Sequence, residues 1–154
     1  MTTAVAAPDP AFVDTNVLVF AAITSSPFYS EAFGRLDALR QAGVELWVRR
    51  QILREYLATL SRPQPFTPPL TAPTLIADIH RFQAQFRIAE DGPTVTANLL
   101  ALLTTIPIGG KQVHDANIVA TMQACGLRRL LRHNTAAFAR FGALIPVEPM
   151  VTTP

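Results

Sequence analysis

Short apolar runs alternate with segments of helical period from residue 11 to residue 149, and this alternation constrains the fold more than any other feature of the chain. Strands are expected at 11–13, 44–48 and 86–89, around Leu130 and Leu131, and at 144–147. Helices are expected at 17–23, 29–41, 49–60, 74–85, 94–105 and 111–124, with Thr15 or Asn16 capping the first. Gly43 and Gly126 follow helical stretches, where a residue free to adopt positive φ ends a helix well. Pro63, Pro65, Pro68, Pro69 and Pro73 forbid regular structure in residues 63–73, which read as a stiff connector. Strands that alternate with helices imply an α/β fold, with a mainly parallel sheet of about five strands flanked by helices. Residues 1–10 read as a lead-in, 11–149 as one domain and 150–154 as a tail.

A chain of 154 residues holds one domain with a real core. Hydrophobic residues make up 49% and charged residues 16%, which fits either a dense core or a surface meant for a partner. Cys125 is the only cysteine, so no intrachain disulfide forms and a reducing compartment is implied. Neither a basic start nor an apolar run precedes Pro8 and Pro10, and no apolar run reaches the length of a membrane span. A cytoplasmic protein is expected. Net charge is only +2, but Lys111 is the one base that is not Arg. The clusters Arg49, Arg50, Arg54 and Arg128, Arg129, Arg132 suit a nucleic-acid backbone, although short Arg clusters also serve as solvated faces or salt-bridge partners.

Three carboxylates stand out. Asp14 closes the first apolar run, at the strand end where parallel sheets gather ligands, and also reads as a helix N-cap. Glu55 borders the stripe Ile52, Leu53, Tyr56, Leu57, Leu60; its plain alternative is a surface ion pair with Arg54 or Arg62. Asp115 shares a helix face with Ile118, Val119 and Met122, where a carboxylate is costly unless it is paired or coordinates a cation. Carboxylates brought to one point suit Mg²⁺ or Mn²⁺, which lowers the pKa of bound water and polarises a phosphodiester.

The runs Phe12-Val-Asp-Thr-Asn16, Ile52-Leu-Arg-Glu-Tyr-Leu57, Val113-His-Asp-Ala-Asn117 and Leu130-Leu-Arg-His-Asn-Thr-Ala-Ala-Phe-Ala-Arg-Phe141 resemble the four blocks of PIN domains, VapC-type toxins above all. The resemblance implies a PIN-like three-layer fold and a Mg²⁺- or Mn²⁺-dependent endoribonuclease. It also implies a homodimer inhibited by a cognate antitoxin, with RNA as substrate. Asp14, Glu55 and Asp115 match the first three acidic positions and are the expected catalytic and metal-binding residues. Asn16 matches a polar position supporting the first Asp, and Asn134 one after the fourth strand. The chain departs from the pattern at Ala137, where a fourth acid belongs, and at Arg132, where a small hydroxyl residue belongs. An Arg there competes with a cation, and His133 reads as a substitute ligand, a general acid or a packing residue. The rival expectation is therefore a degenerate PIN domain that binds RNA or an antitoxin without cutting.

Overall fold

The computed structural model describes residues 4–150. Residues 4–10 precede the first strand without regular structure; most of the expected tail, 151–154, lies outside the described residues. The elements in chain order are β1 (Ala11–Val13), α1 (Thr15–Ala22), α2 (Tyr29–Gln41), β2 (Leu46–Arg49), α3 (Arg50–Leu60) and α4 (Ala72–Gln85). They continue with β3 (Arg87–Ala89), α5 (Pro93–Thr105), α6 (Gln112–Cys125), β4 (Arg129–Arg132), a 3₁₀ helix (Ala136–Phe141) and β5 (Val147–Pro149). Among the described residues no helix is long and apolar enough to cross a membrane.

All five strands run parallel, in the order β3-β2-β1-β4-β5. Phe12, Val13, Val48, Leu130 and Leu131 are buried, as continuous apolar strands covered on both faces must be. Helices flank the sheet in a three-layer α/β arrangement; α1 packs on α2 and α3, and α5 on α6. Tyr56 of α3 donates to Asp78 of α4 at 2.6 Å, and Arg81 pairs with Asp78 at 3.1 Å, so a buried carboxylate is satisfied from two sides. Strand order reverses at β1: β2 and β3 lie on one side of it, β4 and β5 on the other. The carboxyl ends of β1 and β4 therefore flank a topological switch point, where α/β sheets bind ligands.

Several boundaries differ from expectation. Of the caps offered for α1, Asp14 is the one used, not Thr15 or Asn16, because its carboxylate accepts from the Thr15 amide. β5 begins at Val147, not at residue 144, because Val147 is the residue that meets Leu130 in register. The expected connector at 63–73 gives up Ala72 and Pro73 to the first turn of α4, where the amide a proline lacks would have no helical partner, and before them holds only an isolated bridge from Gln64 to Thr67. Cys125 is half-buried and unpaired, and burial pushes its thiol pKa up.

Candidate functional site

β1 and β4 pair Val13 with Leu131, and the Asp14 amide donates to the Leu131 carbonyl at 3.1 Å. That register sets Asp14 level with Arg132. On the other flank, Phe12 pairs with Trp47, so Arg49 at the end of β2 lies level with Asp14 as well. The first carboxylate thus sits between two arginines, one from each neighbouring strand. α3 brings Glu55 to the same edge, and the first turn of α6 brings Asp115. A carboxylate in a first turn is favoured by the free amides there.

Asp14, Glu55, Asp115, Arg49 and Arg132 line one cleft of about 320 Å³, together with Thr15, Asn16 and His114. The three expected acids are thus neighbours, and each is already engaged. Asp14 accepts from the Thr15 amide at 2.8 Å. Glu55 accepts from the Thr15 hydroxyl at 2.6 Å and from the Gln51 amide at 3.1 Å, not from Arg54 or Arg62. One Arg132 nitrogen, Nη1, stands 3.3 Å from Asp14 Oδ2 and 3.4 Å from Asp115 Oδ1. The Arg132 guanidinium also lies over the Phe138 ring, 4.2 Å from its centroid.

Asp14 is buried, and desolvation raises its carboxyl pKa above the ordinary value; Arg132, the Thr15 amide and Arg49 oppose the shift, while Glu55 adds to it. Burial lowers the pKa of Arg49, against the attraction of Glu55, Asp14 and Asp91. Arg49 Nε and Arg132 Nε are buried without a hydrogen-bond partner. Asp115 is half-buried at the border of the α6 stripe, not within it, because residues 116 and 118–122 turn to the core. Its partner is a guanidinium.

The remaining expectations divide. Asn16 lines the cleft. Asn134 accepts from the Ala136 amide at 3.2 Å and shapes the entry to the 3₁₀ helix. His133 packs against Phe20 and Phe28, with ring centroids 5.0 Å and 4.4 Å away, as the packing alternative expected. Neither His133 nor Ala137 is among the residues lining the cleft. Arg129 is taken by Glu148, and Arg50 by Glu90. Sequence reasoning missed Arg49 and His114 as cleft residues. Aligning the carboxyl ends of β1, β2 and β4 finds Arg49; His114 had the signal of standing beside Asp115.

Carboxylates and arginines gather where a parallel sheet reverses its strand order, which defines an α/β protein with a charged cleft at its carboxyl edge. The PIN domain model matches residues 10–123, and the chain belongs to the PIN-domain family. Nucleases of this family generally use divalent metal ions. The fold is similar to that of VapBC2 from Rickettsia felis bound to a promoter DNA fragment, with TM-score 0.66 and 20% identity over 90% of this chain and 97% of that one. It is similar to a toxin–antitoxin complex from Klebsiella pneumoniae, with TM-score 0.63 and 21% identity over 93% and 99% of the two chains. It is also similar to Mycobacterium tuberculosis VapC20, a sarcin-ricin loop cleaving toxin, with TM-score 0.60 and 14% identity over 84% and 93%. No curated protein matches the chain significantly.

The donor chemistry of the cleft suits a hard divalent ion, but the arrangement does not. Among the described residues no three Asp, Glu, His or Cys side chains are grouped so as to hold a metal ion. Arg132 Nη1 bridges two of the three carboxylates that would supply the oxygens.

Proposed function

We propose that this chain is the toxin component of a type II toxin–antitoxin pair, an endoribonuclease that rests with Arg132 drawn into its acid site. The observation that carries the reading is the meeting of Asp14, Glu55 and Asp115, from three separate elements, in one cleft at the switch point of a PIN fold. RNA is the substrate. A second hollow lined by Arg49, Arg54, His114 and Asn117, with Arg50 paired to Glu90 and with Asp91 on the same wall, shares Arg49 and His114 with the acid cleft, so that Arg49 and Arg54 are the side chains it offers to a phosphate backbone. With Arg132 displaced, Asp14 and Asp115 would hold Mg²⁺ or Mn²⁺, and Glu55 would join them or orient water. The ion would polarise the phosphodiester and acidify that water.

An antitoxin has a place to dock. A groove of about 330 Å³ between α1, α2 and α4 is lined by Leu18, Tyr29, Phe33, Phe82 and Phe86, with Arg40 and Arg81 beside them. Apolar side chains of a partner segment fit such a groove.

The Arg132 ion pairs favour a second reading, an RNA- or antitoxin-binding protein that does not cut. One experiment separates the two. A total RNA pool is incubated with the wild type and with Asp115→Asn, in Mn²⁺ or in EDTA, and new 5′ ends are mapped. Cuts that need both Mn²⁺ and Asp115 support the nuclease. RNA retained in a gel shift without new ends supports the binder, and cleavage by Asp115→Asn at the wild-type rate removes Asp115 from the site.

A further inference from the structure

Arg132 reaches into the acid cleft between two of its three carboxylates. A single nitrogen lies 3.3 Å from one carboxylate and 3.4 Å from another, so one positive charge already bridges oxygens contributed by β1 and α6. The side chain is held from its other face by Phe138, at 4.2 Å from the guanidinium carbon to the ring centroid. Only 15% of it is exposed. Its backbone belongs to β4, which pairs with β1 on one side and β5 on the other, and its carbonyl accepts from the Met150 amide at 3.0 Å. The stem is therefore anchored, and only the far end of the side chain is free to leave.

Charge balance points the same way. The charged residues lining the cleft are Asp14, Glu55 and Asp115 against Arg49 and Arg132, with His114 at its wall. Without Arg132, three carboxylates would face a single arginine, and Asp14 would be a buried acid with no direct cationic partner. A site so balanced has little remaining attraction for a dication.

We propose that Arg132 is a tethered cation standing between Asp14 and Asp115 in place of a divalent ion, and that it weakens Mg²⁺ and Mn²⁺ binding by competing for the same oxygens. This inference rests on the reading of those acids as the seat of the chemistry. It also changes what a partner must do: a basic group delivered by an antitoxin meets a carboxylate pair that already holds one positive charge of the chain's own.

The test is calorimetric titration with MnCl₂ and thermal unfolding in MnCl₂ or EDTA, on the wild type, Arg132→Met and Arg132→Lys. Met keeps an apolar stem over Phe138 without the charge; Lys keeps the charge. Arg132→Met is expected to bind Mn²⁺ about tenfold or more tighter than the wild type. Its melting temperature should fall in EDTA and recover in Mn²⁺, as linkage requires of a ligand that binds only the folded state. Arg132→Lys should stay close to the wild type. Equal affinity of the wild type and Arg132→Met overturns the proposal, and so does an Arg132→Lys protein that binds as tightly as Arg132→Met. If Arg132→Met does not fold, the wild type alone decides: uptake of Mn²⁺ at micromolar concentration overturns the proposal, and none up to millimolar supports it. These measurements contain no RNA, so failure of the RNA reading leaves their outcome standing.

Discussion

Glu148 shows how one residue ties the sheet edge to a helix. It accepts from Arg129 Nε at 2.8 Å within the sheet and from Arg35 Nη2 of α2 at 2.9 Å. The Arg129 hydrogen bond foremost, with Arg35 assisting and partial burial opposing, holds the Glu148 carboxyl below the ordinary glutamate value. A depressed carboxylate pKa contributes stability that is present above the unfolded value and lost as pH falls through the folded one. Glu148→Gln should therefore destabilise the protein by about 1 kcal/mol at pH 7. The gap should begin to narrow as the pH falls below the ordinary glutamate value of about 4.3 and should close only below the depressed folded one. Urea unfolding of both proteins across that range checks it, and a gap that persists at the acid end would assign the effect to packing. At this scale the sequence was informative about identity and poor about direction. Asp14 and Glu55 could be placed at the carboxyl edge from strand ends and helix stripes. That Arg132 turns to the acids while Arg129 turns to Glu148 depends on strand parity and on which neighbour lies opposite, and three- or four-residue strands give too little pattern to fix either.

Elements were legible where a long periodic stripe or a stop signal marked them. Tyr29–Gln41 coincides with its expected helix, and Gly126, at φ 69°, ends α6 as expected. The 3₁₀ helix went unread, although Phe138 and Phe141, both buried and three apart, are the spacing at which its side chains eclipse. What no periodicity could show is the joint between α3 and α4, since the Pro-rich connector hides which residues will meet. The Tyr56 hydroxyl satisfies one oxygen of buried Asp78, and Arg81 the other. Burial first, then the Asp78 hydrogen bond, pushes the Tyr56 pKa far above its ordinary value, so the phenol stays a donor. Tyr56→Phe keeps the ring against Phe82, 4.9 Å away, but leaves Asp78 Oδ2 buried without its donor. The expected loss is about 1–3 kcal/mol. Denaturant unfolding measures it, and Asp78→Asn in the Tyr56→Phe background should recover part of the loss, because a neutral amide is cheaper to leave half-paired. A Tyr56→Phe protein as stable as the wild type would show that water replaces the hydroxyl.

For the whole molecule, the large hydrophobic fraction fits both readings of it offered by the sequence. Much of it fills the core on both faces of the sheet, but some remains outside. Leu100 and Leu103 of α5 are 57% and 39% exposed, and Leu144, after the 3₁₀ helix, is 46% exposed. Leu144 lines a hollow with Leu102 of α5 and with Ile106, which caps that helix, whereas Leu100 and Leu103 lie on another face of α5. Single exposed leucines need no explanation, whereas neighbouring ones on one helix are what an interface core is made of. The homodimer that the resemblance to PIN-domain toxins implies would use the exposed Leu100 and Leu103 of α5, which line neither the acid cleft nor the groove between α1, α2 and α4. Leu100→Lys with Leu103→Glu adds no net charge and removes only solvent-exposed apolar surface, so the folded monomer should lose little stability. The wild type should sediment as a dimer at micromolar concentration, and the double variant as a monomer with an unchanged circular dichroism spectrum. Mn²⁺ titration should be the same for both, since no α5 residue lines the acid cleft. A wild type that sediments as a monomer would remove the homodimer, and a double variant that stays dimeric would move the interface to another face.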